Sequence, residues 1–428
     1  MKNFKNIKFL YASKLLFLGA ILFLNFSCKS TFVSQKNNPK LKEVTAKDIL
    51  GNPNYQAICY GGYRGKSRDI QPTISQLKED LKILSAMQIK IVRTYNVHLK
   101  HASNVLLAIS ELKKENPDFE MYVMLGAWID CKNAWTEFPT IHHEESDRNK
   151  VEIEEAVRLA NLYPDIIKVI AVGNEAMIKW ATSYYVEPHI ILKWVQYLQE
   201  LKRANKLDRE LWITSSDDFA SWGGGDASYR TRDLEAIIRA VDYVSFHTYP
   251  FHNSHYNPQF WKTPEAENAL SDIEKTNKAM ERALQFAINQ YNNVKEYVHS
   301  ISPNKPIHIG ETGWASISDG LYGADGSRAA DEYKQALFYK SLRKWSTDNN
   351  ISCFYFEAFD EPWKDSRNIN GSENYFGLFT VDGKAKYILW ESVDKGIFSN
   401  LKRDGNPIIK THSGDKKLVL ETVIAPPN

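Results

Sequence analysis

Val169-Ile170-Ala171-Val172-Gly173-Asn174-Glu175 decides the fold. Four consecutive apolar residues with no polar alternation must be buried on both faces, which a parallel sheet covered by helices provides and a one-sided antiparallel sheet does not. The run ends in a glycine and then an exposed-type pair, Asn174-Glu175. Pro306-Ile307-His308-Ile309-Gly310-Glu311-Thr312-Gly313-Trp314 repeats the pattern later in the chain, again releasing a glutamate at the end of a buried strand.

Working outward from these two stretches, short apolar strands are expected at 56–61, 90–95, 121–127, 167–173, 211–215, 243–247, 307–310 and 353–359. Helical spacing fills the gaps. Thr73-Ile74-Ser75-Gln76 has the form of a capping box, and Ile74, Leu77, Leu81 and Leu84 follow on one face. Similar patterns cover 104–114, 150–162, 189–204, 233–240 and 329–345. Eight strand–helix units predict an α/β fold, a (β/α)8 TIM barrel in a single domain. An open doubly wound sheet would carry a Gly-rich fingerprint after its first strand, and Tyr60-Gly61-Gly62-Tyr63-Arg64-Gly65 does not match it. Loop insertions are expected after strands three (130–147) and six (251–304), at the strand ends where barrel enzymes place specificity.

The chain has 428 residues, with 54 basic and 52 acidic side chains, so no electrostatic footprint for a nucleic acid exists. At the N-terminus, Lys2, Lys5, Lys8 and Lys14 precede an almost wholly apolar run from Leu15 to Phe26, the form of an export signal. Asn25-Phe26-Ser27-Cys28 resembles a bacterial lipobox, although Asn25 stands where an aliphatic residue is usual. The organisation read from this is 1–27 signal peptide of the lipoprotein type, 28–48 tether, 49–400 barrel and 401–428 a C-terminal extension packed on the barrel. Cys28 is the expected lipidation site, which places an exported protein in the cell envelope, anchored to a membrane at the outer membrane or facing the periplasm. Cys59, Cys131 and Cys353 remain, an odd number that gives no disulfide framework. Cys59 and Cys353 fall on neighbouring strands, close enough for one bridge, but buried free thiols are the expected state. The C-terminal run Leu418–Ile424 is apolar enough for an extra strand.

In a barrel the chemistry stands at the C-terminal ends of the strands. Here those ends carry Tyr60, Arg93 with Tyr95, Trp128 with Asp130, Asn174-Glu175, Asp217-Asp218, His247 with Tyr249, Glu311 and Glu357. Strands four and seven face each other across the barrel mouth, so Glu175 and Glu311 can bracket one bond. Cleavage of a glycosidic bond needs this pair: one acid to protonate the leaving oxygen and one carboxylate at the anomeric carbon. That chemistry needs no cofactor. His247, His252 and His255, and His142-His143-Glu144-Glu145, lack any established metal-ligand spacing, and no metal is expected. Serine-hydrolase and phosphate-loop signatures are absent from the sequence.

Five motifs in order complete the reading: Ala57-Ile58-Cys59-Tyr60-Gly61, Val92-Arg93-Thr94-Tyr95, Val172-Gly173-Asn174-Glu175, Glu311-Thr312-Gly313-Trp314 and Phe359-Asp360-Glu361-Pro362-Trp363-Lys364. Together they resemble glycoside hydrolase family 17, from about Tyr55 to Trp390. The resemblance implies a retaining β-1,3-glucanase of the laminarinase type acting on oligo- or polymeric β-glucan, with Glu175 as acid/base and Glu311 as nucleophile. It implies that Asn174 contacts the sugar and that Glu361 and Lys364 belong to the active-site network. Tyr60, Trp128, Tyr249 and Trp314 are the candidate stacking platforms, Arg93 is the candidate partner that keeps Glu311 ionised, and Arg93 and Tyr95 are expected among the substrate-binding residues. A monomer is expected. A glucanosyltransferase using the same two residues, or a catalytically silent glycan-binding lipoprotein, are the alternatives.

Overall fold

In the computed structural model, residues 44–428 are described. Eight parallel strands close into one barrel: β1 Gln56–Cys59, β2 Ile89–Arg93, β3 Tyr122–Ala127, β4 Ile167–Asn174, β5 Trp212–Asp218, β6 Val244–His247, β7 Ile307–Gly313 and β8 Cys353–Phe356. Each strand pairs with its sequence neighbours, and β1 closes the ring against β8. The (β/α)8 expectation is met. The strands are almost entirely buried because side chains fill the inside and helices cover the outside.

The helices follow their sequence signals closely. Helix α2 (Ile74–Ala86) starts at the Thr73–Gln76 capping box, and α3 (Lys100–Glu115), α4 (Arg148–Leu162), α5 (Pro188–Arg203) and α6 (Arg232–Ala240) occupy the expected gaps. The last barrel helix, α9 (Glu332–Asp348), begins three residues later than its periodicity suggests, because Asp331 caps it by accepting from Lys334 N.

Three expectations need correction. The stretch 251–304 is mostly not an insertion. It holds α7 (Pro250–Tyr256) and then α8, a 30-residue helix over Asp272–Ile301 that is the barrel helix of this unit. Its buried face mixes Thr276, Gln290 and the small Ala279, Ala283 and Ala287 with the larger Met280, Val294 and Val298, which dilutes the apolar periodicity, although Ser271 and Glu274 form a capping box. Leu418–Ile424 is not a strand; Lys416–Glu421 is helical. The tether does not extend to residue 48: Thr45 caps the short helix α1 (Ala46–Ile49) through a capping box with Asp48, and Ala46 and Ile49 are fully buried. The signal peptide, Cys28 and the rest of the tether lie outside the described residues. No helix among the described residues is long and apolar enough to cross a membrane.

The insertion after β3 is real. It forms a hairpin, Cys131–Lys132 against Ile141–Glu145. Cys59, Cys131 and Cys353 are free and buried. The C-terminal segment returns to the barrel wall at two places. Pro427 O accepts from Thr263 N at 2.8 Å, and Ile424 O accepts from Lys334 Nζ at 2.9 Å. Its charge anchor is Arg403, fully buried, which donates to Asp80 on α2 at 3.0 Å, while Arg64 donates to the same carboxylate at 2.8 and 3.0 Å. Removing the carboxylate that both guanidinium groups share leaves the buried charge of Arg403 uncompensated. Asp80→Ala should therefore lower the unfolding free energy by about 3–5 kcal/mol. Urea denaturation followed by tryptophan fluorescence checks this, and an unchanged midpoint would show that the C-terminal clamp carries no stability.

Candidate active site

Glu175 reaches the barrel mouth because β4 is bent at its end. Gly173 has φ +81°, and a Cβ there would lie 2.8 Å from Ala176 Cβ. Glu175 itself sits at φ +47°, an uncommon conformation for a residue with a side chain. The β4–β5 register shifts between Ala171 and Asn174, and that irregularity turns both Asn174 and Glu175 toward the interior. The bend is pinned by Glu175 N donating to Ser216 O at 3.0 Å and by Asp217 Oδ2 accepting from Met177 N at 2.7 Å.

Arg93 joins the opposite walls. Fully buried at the end of β2, it donates to Glu311 Oε2 at 2.8 Å, to Gly310 O at 2.7 Å and to Asn174 Oδ1 at 2.6 Å. Tyr95, two residues on and hence on the same side of the strand, donates to Glu311 Oε2 at 2.7 Å. Tyr249 donates to the other oxygen, Oε1, at 2.7 Å. Arg93, Tyr95 and Tyr249 thus converge on Glu311 as donors, the arrangement an ionised carboxylate requires. Burial opposes that charge, but His247, Arg93 and the hydroxyls of Tyr249 and Tyr95 outweigh it and hold Glu311 below the ordinary carboxylate range.

Glu175 is set the other way. Burial and then the negative charge of Glu311 push its carboxyl up to about 8, against the weaker pull of Arg93. His247 connects the two acids. Burial holds its imidazole at about 4, so it is neutral near pH 7. Its Nε2 lies 2.8 Å from Ser216 Oγ and 3.3 Å from Arg93 Nη1. Arg93 can only donate, so Nε2 accepts and Nδ1 carries the hydrogen, which it gives to Glu175 Oε1 at 2.9 Å. The proton of Glu175 is thereby left to Oε2. Gly310 makes room for this network, since a Cβ there would stand 2.1 Å from Ser245 Oγ and 2.4 Å from Ser216 Oγ.

Glu175, His247 and Glu311 each offer one ligand atom, all within 4.8 Å of one another, a spacing a metal ion can use. The charge at that point is already supplied by Arg93, and both oxygens of Glu311 are occupied by Arg93, Tyr95 and Tyr249. A second fixed cation would face the guanidinium directly, so the donor set does not fit a metal. His252 and His255 do not converge on it: His252 Nδ1 is 3.1 Å from Tyr322 Oη, and His255 packs edge-on against Tyr256.

Glu311 and Asn174, the neighbour of Glu175, line a cleft of about 1090 Å³. Tyr95, Asn174, Glu311, Glu361, Lys364 and Trp128 all line it. Glu361 is buried, accepting from Tyr63 N and Trp363 Nε1 at 3.1 Å each, with Lys364 Nζ 3.9 Å away. Two stacking expectations are overturned. Trp314 is fully buried against Phe251, Trp261 and Phe338, with its indole donating to Ala329 O. Tyr60 is fully buried with its hydroxyl on Asp80. Neither ring offers a face to a ligand. Tyr249 serves as a hydrogen-bond donor to Glu311. The aromatic side chains that do line the cleft include Trp128, Trp135, Trp180 and Tyr184 on one side and Tyr63 and Trp363 on the other. Of these, the sequence reading singled out Trp128 alone.

The family model for the BtgE/BtgC glycoside hydrolase domain matches residues 57–377. The chain belongs to this family. The hydrolase character and the family 17 type expected from the five motifs agree with it. An endo-laminarinase structure from Formosa Hel1_33_131 is 62% identical, with a TM-score of 0.89, covering 90% of this chain and 98% of that one. A glucan 1,3-beta-glucosidase of Arthroderma benhamiae is 24% identical over 276 residues, covering 62% of this chain and 70% of the relative. A putative glucan endo-1,3-beta-glucosidase, btgC, of Aspergillus niger is 22% identical over 316 residues, covering 71% of this chain. This BtgE/BtgC-type hydrolase spans only 37% of that relative's length.

With Glu311 as the ionised and Glu175 as the protonated reacting carboxyl, a pH profile would have an acid limb that follows Glu311 and an alkaline limb that falls near 8 with Glu175. Tyr249→Phe removes a hydrogen bond that favours the charged form of Glu311, so its pKa rises and the acid limb of kcat/KM moves to higher pH. An acid limb that stays in place would show that Tyr249 does not hold the charge.

Proposed function

We propose that the protein is a retaining endo-β-1,3-glucanase of the laminarinase type, with Glu175 as acid/base and Glu311 as nucleophile. The observation that carries this is the pair itself: two carboxylates with oxygens within 4.8 Å, one pushed toward protonation and the other held ionised. Oxygens this close favour the ~5–5.5 Å carboxyl spacing of retaining enzymes over the wider ~6.5–9.5 Å spacing that leaves room for a water in inverting ones. The substrate class rests on the 62% identity to the Formosa endo-laminarinase.

In the first step a Glu311 oxygen attacks the anomeric carbon while Glu175 gives its Oε2 proton to the glycosidic oxygen. The carbon–oxygen bond breaks, the reducing-end fragment leaves and a glycosyl ester forms on Glu311. Glu175, now a carboxylate, takes a proton from water; the hydroxide so generated attacks the same carbon and releases Glu311. Two inversions give net retention. Asn174, Glu361 and Lys364 are proposed to meet sugar hydroxyls, and Arg93 with Tyr95 to keep the nucleophile charged and aimed. The same intermediate passed to a sugar hydroxyl would give transglycosylation; products longer than the substrate would reveal it. The enzyme is further proposed to act as a monomer, exported and held at the envelope through a lipid on Cys28. Cys28→Ser should shift it from the membrane to the soluble fraction in cell fractionation, and an unchanged distribution would remove the anchor.

Glu311→Gln should lower kcat on laminarin by about 10⁴-fold or more. Glu175→Ala should lower it by about 10²–10⁴-fold. Only the latter should be rescued by azide, giving a β-glycosyl azide by NMR. An α-glycosyl azide from the Glu175 variant, or full activity in either variant, would overturn the assignment.

A further inference from the structure

Trp135 is a conspicuous residue on the cleft wall. It sits in the turn of the hairpin after β3 at φ +63°, a left-handed conformation that costs a non-glycine residue about 1–2 kcal/mol. Its indole is also 58% exposed. A turn that served folding alone would favour glycine or asparagine here, as Asn133 does two residues earlier at φ +64°. Strain and exposed aromatic surface together mark a position kept for what it touches.

The ring lies stacked on Tyr184, with centroids 5.1 Å apart and planes 19° apart, and Trp128 packs tilted against Tyr184 at 5.3 Å. Tyr184 belongs to the loop that follows Glu175, and after burial the charge of Glu175 is the strongest influence on its hydroxyl. The aromatic step therefore leads outward from the acid/base. It is also held firmly. Tyr184 O accepts from Cys131 N at 3.1 Å, His142 O accepts from Glu187 N at 2.8 Å, and Arg148 ties the turn by donating to Asp130 at 2.8 Å and to Ala134 O at 3.1 Å.

A glycosidase acid stands on the side of the departing oxygen, so the sugar units beyond the scissile bond run along the wall next to Glu175. The flat C–H face of a β-glucosyl ring matches an exposed aromatic face. We propose that the Tyr184–Trp135 pair is the binding platform for the glucosyl residues on the leaving-group side of a β-glucan, and that Trp135 is a specificity-determining residue. This rests on the glucanase reading above. The platform grips a chain that continues past the cleavage point, which favours cutting within chains over trimming single residues from an end.

The test compares two substrates in purified full-length enzyme carrying Trp135→Ala and, separately, Trp135→Phe. Laminarihexaose extends over the platform. 4-Nitrophenyl β-laminaribioside places only a nitrophenyl group beyond the bond. For Trp135→Ala, kcat/KM on the hexaose should fall about tenfold relative to that on the aryl glycoside. The loss should appear mainly in KM, and Trp135→Phe should recover part of it. Equal losses on both substrates, or no loss on the hexaose, would overturn the platform while leaving the glucanase reading intact. An unaltered enzyme that turned over neither compound would overturn both.

Discussion

The buried guanidinium of Arg93 is the interaction on which the site depends. One side chain from β2 reaches Gly310 and Glu311 on β7, Asn174 on β4 and His247 on β6. A charge in the closed interior of a barrel is costly unless it is paired and hydrogen-bonded, and here the pairing partner is Glu311, the proposed nucleophile. The same cation that satisfies Glu311 leaves Glu175 as the more isolated acid, facing a negative neighbour in a poorly solvated site. Two identical side chains thus lean to opposite protonation states: His247, Arg93 and the hydroxyls of Tyr249 and Tyr95 favour the charge of Glu311, while burial and that charge oppose ionisation of Glu175. His247 then fixes which oxygen of Glu175 carries the proton.

The barrel supplies the rest by simple periodicity. Side chains two apart on a strand share a side, which brings Arg93 and Tyr95 to bear on Glu311 and sets His247, which bonds Glu175, beside Tyr249, which donates to Glu311. Where both of two consecutive residues must face inward, as Asn174 and Glu175 do, the strand must break its own alternation. The left-handed Gly173 and the register shift beside it accomplish that.

The same rule explains what the sequence reading placed correctly and what it missed. Buried strands ending in Glu were legible because continuous apolarity and a polar tip are local signals. Trp314 was misplaced because it lies three residues after Glu311: an odd offset sends its ring outward, between barrel and helices, where it is buried. Tyr60, one residue after the inward Cys59, goes outward to Asp80 for the same reason. Alternation counted from Glu311 and Cys59 would have shown both. Helix α8 escaped because alanines, a threonine and a glutamine dilute the larger apolar residues Met280, Val294 and Val298 on its buried face, and the capping box at Ser271 was its clearest mark. Trp135 and Tyr184 carried no local signal, since their stacking joins two loops 49 positions apart in sequence.

The two carboxyls should differ in protonation at neutral pH although they share one site. A carbon-13 NMR titration of protein labelled at the glutamate carboxyl carbons, assigned through Glu175→Gln and Glu311→Gln, reads this directly. Two well-separated steps are expected for the pair, one below the ordinary glutamate range and one near 8. Both carboxyls titrating together at ordinary values would contradict that expectation.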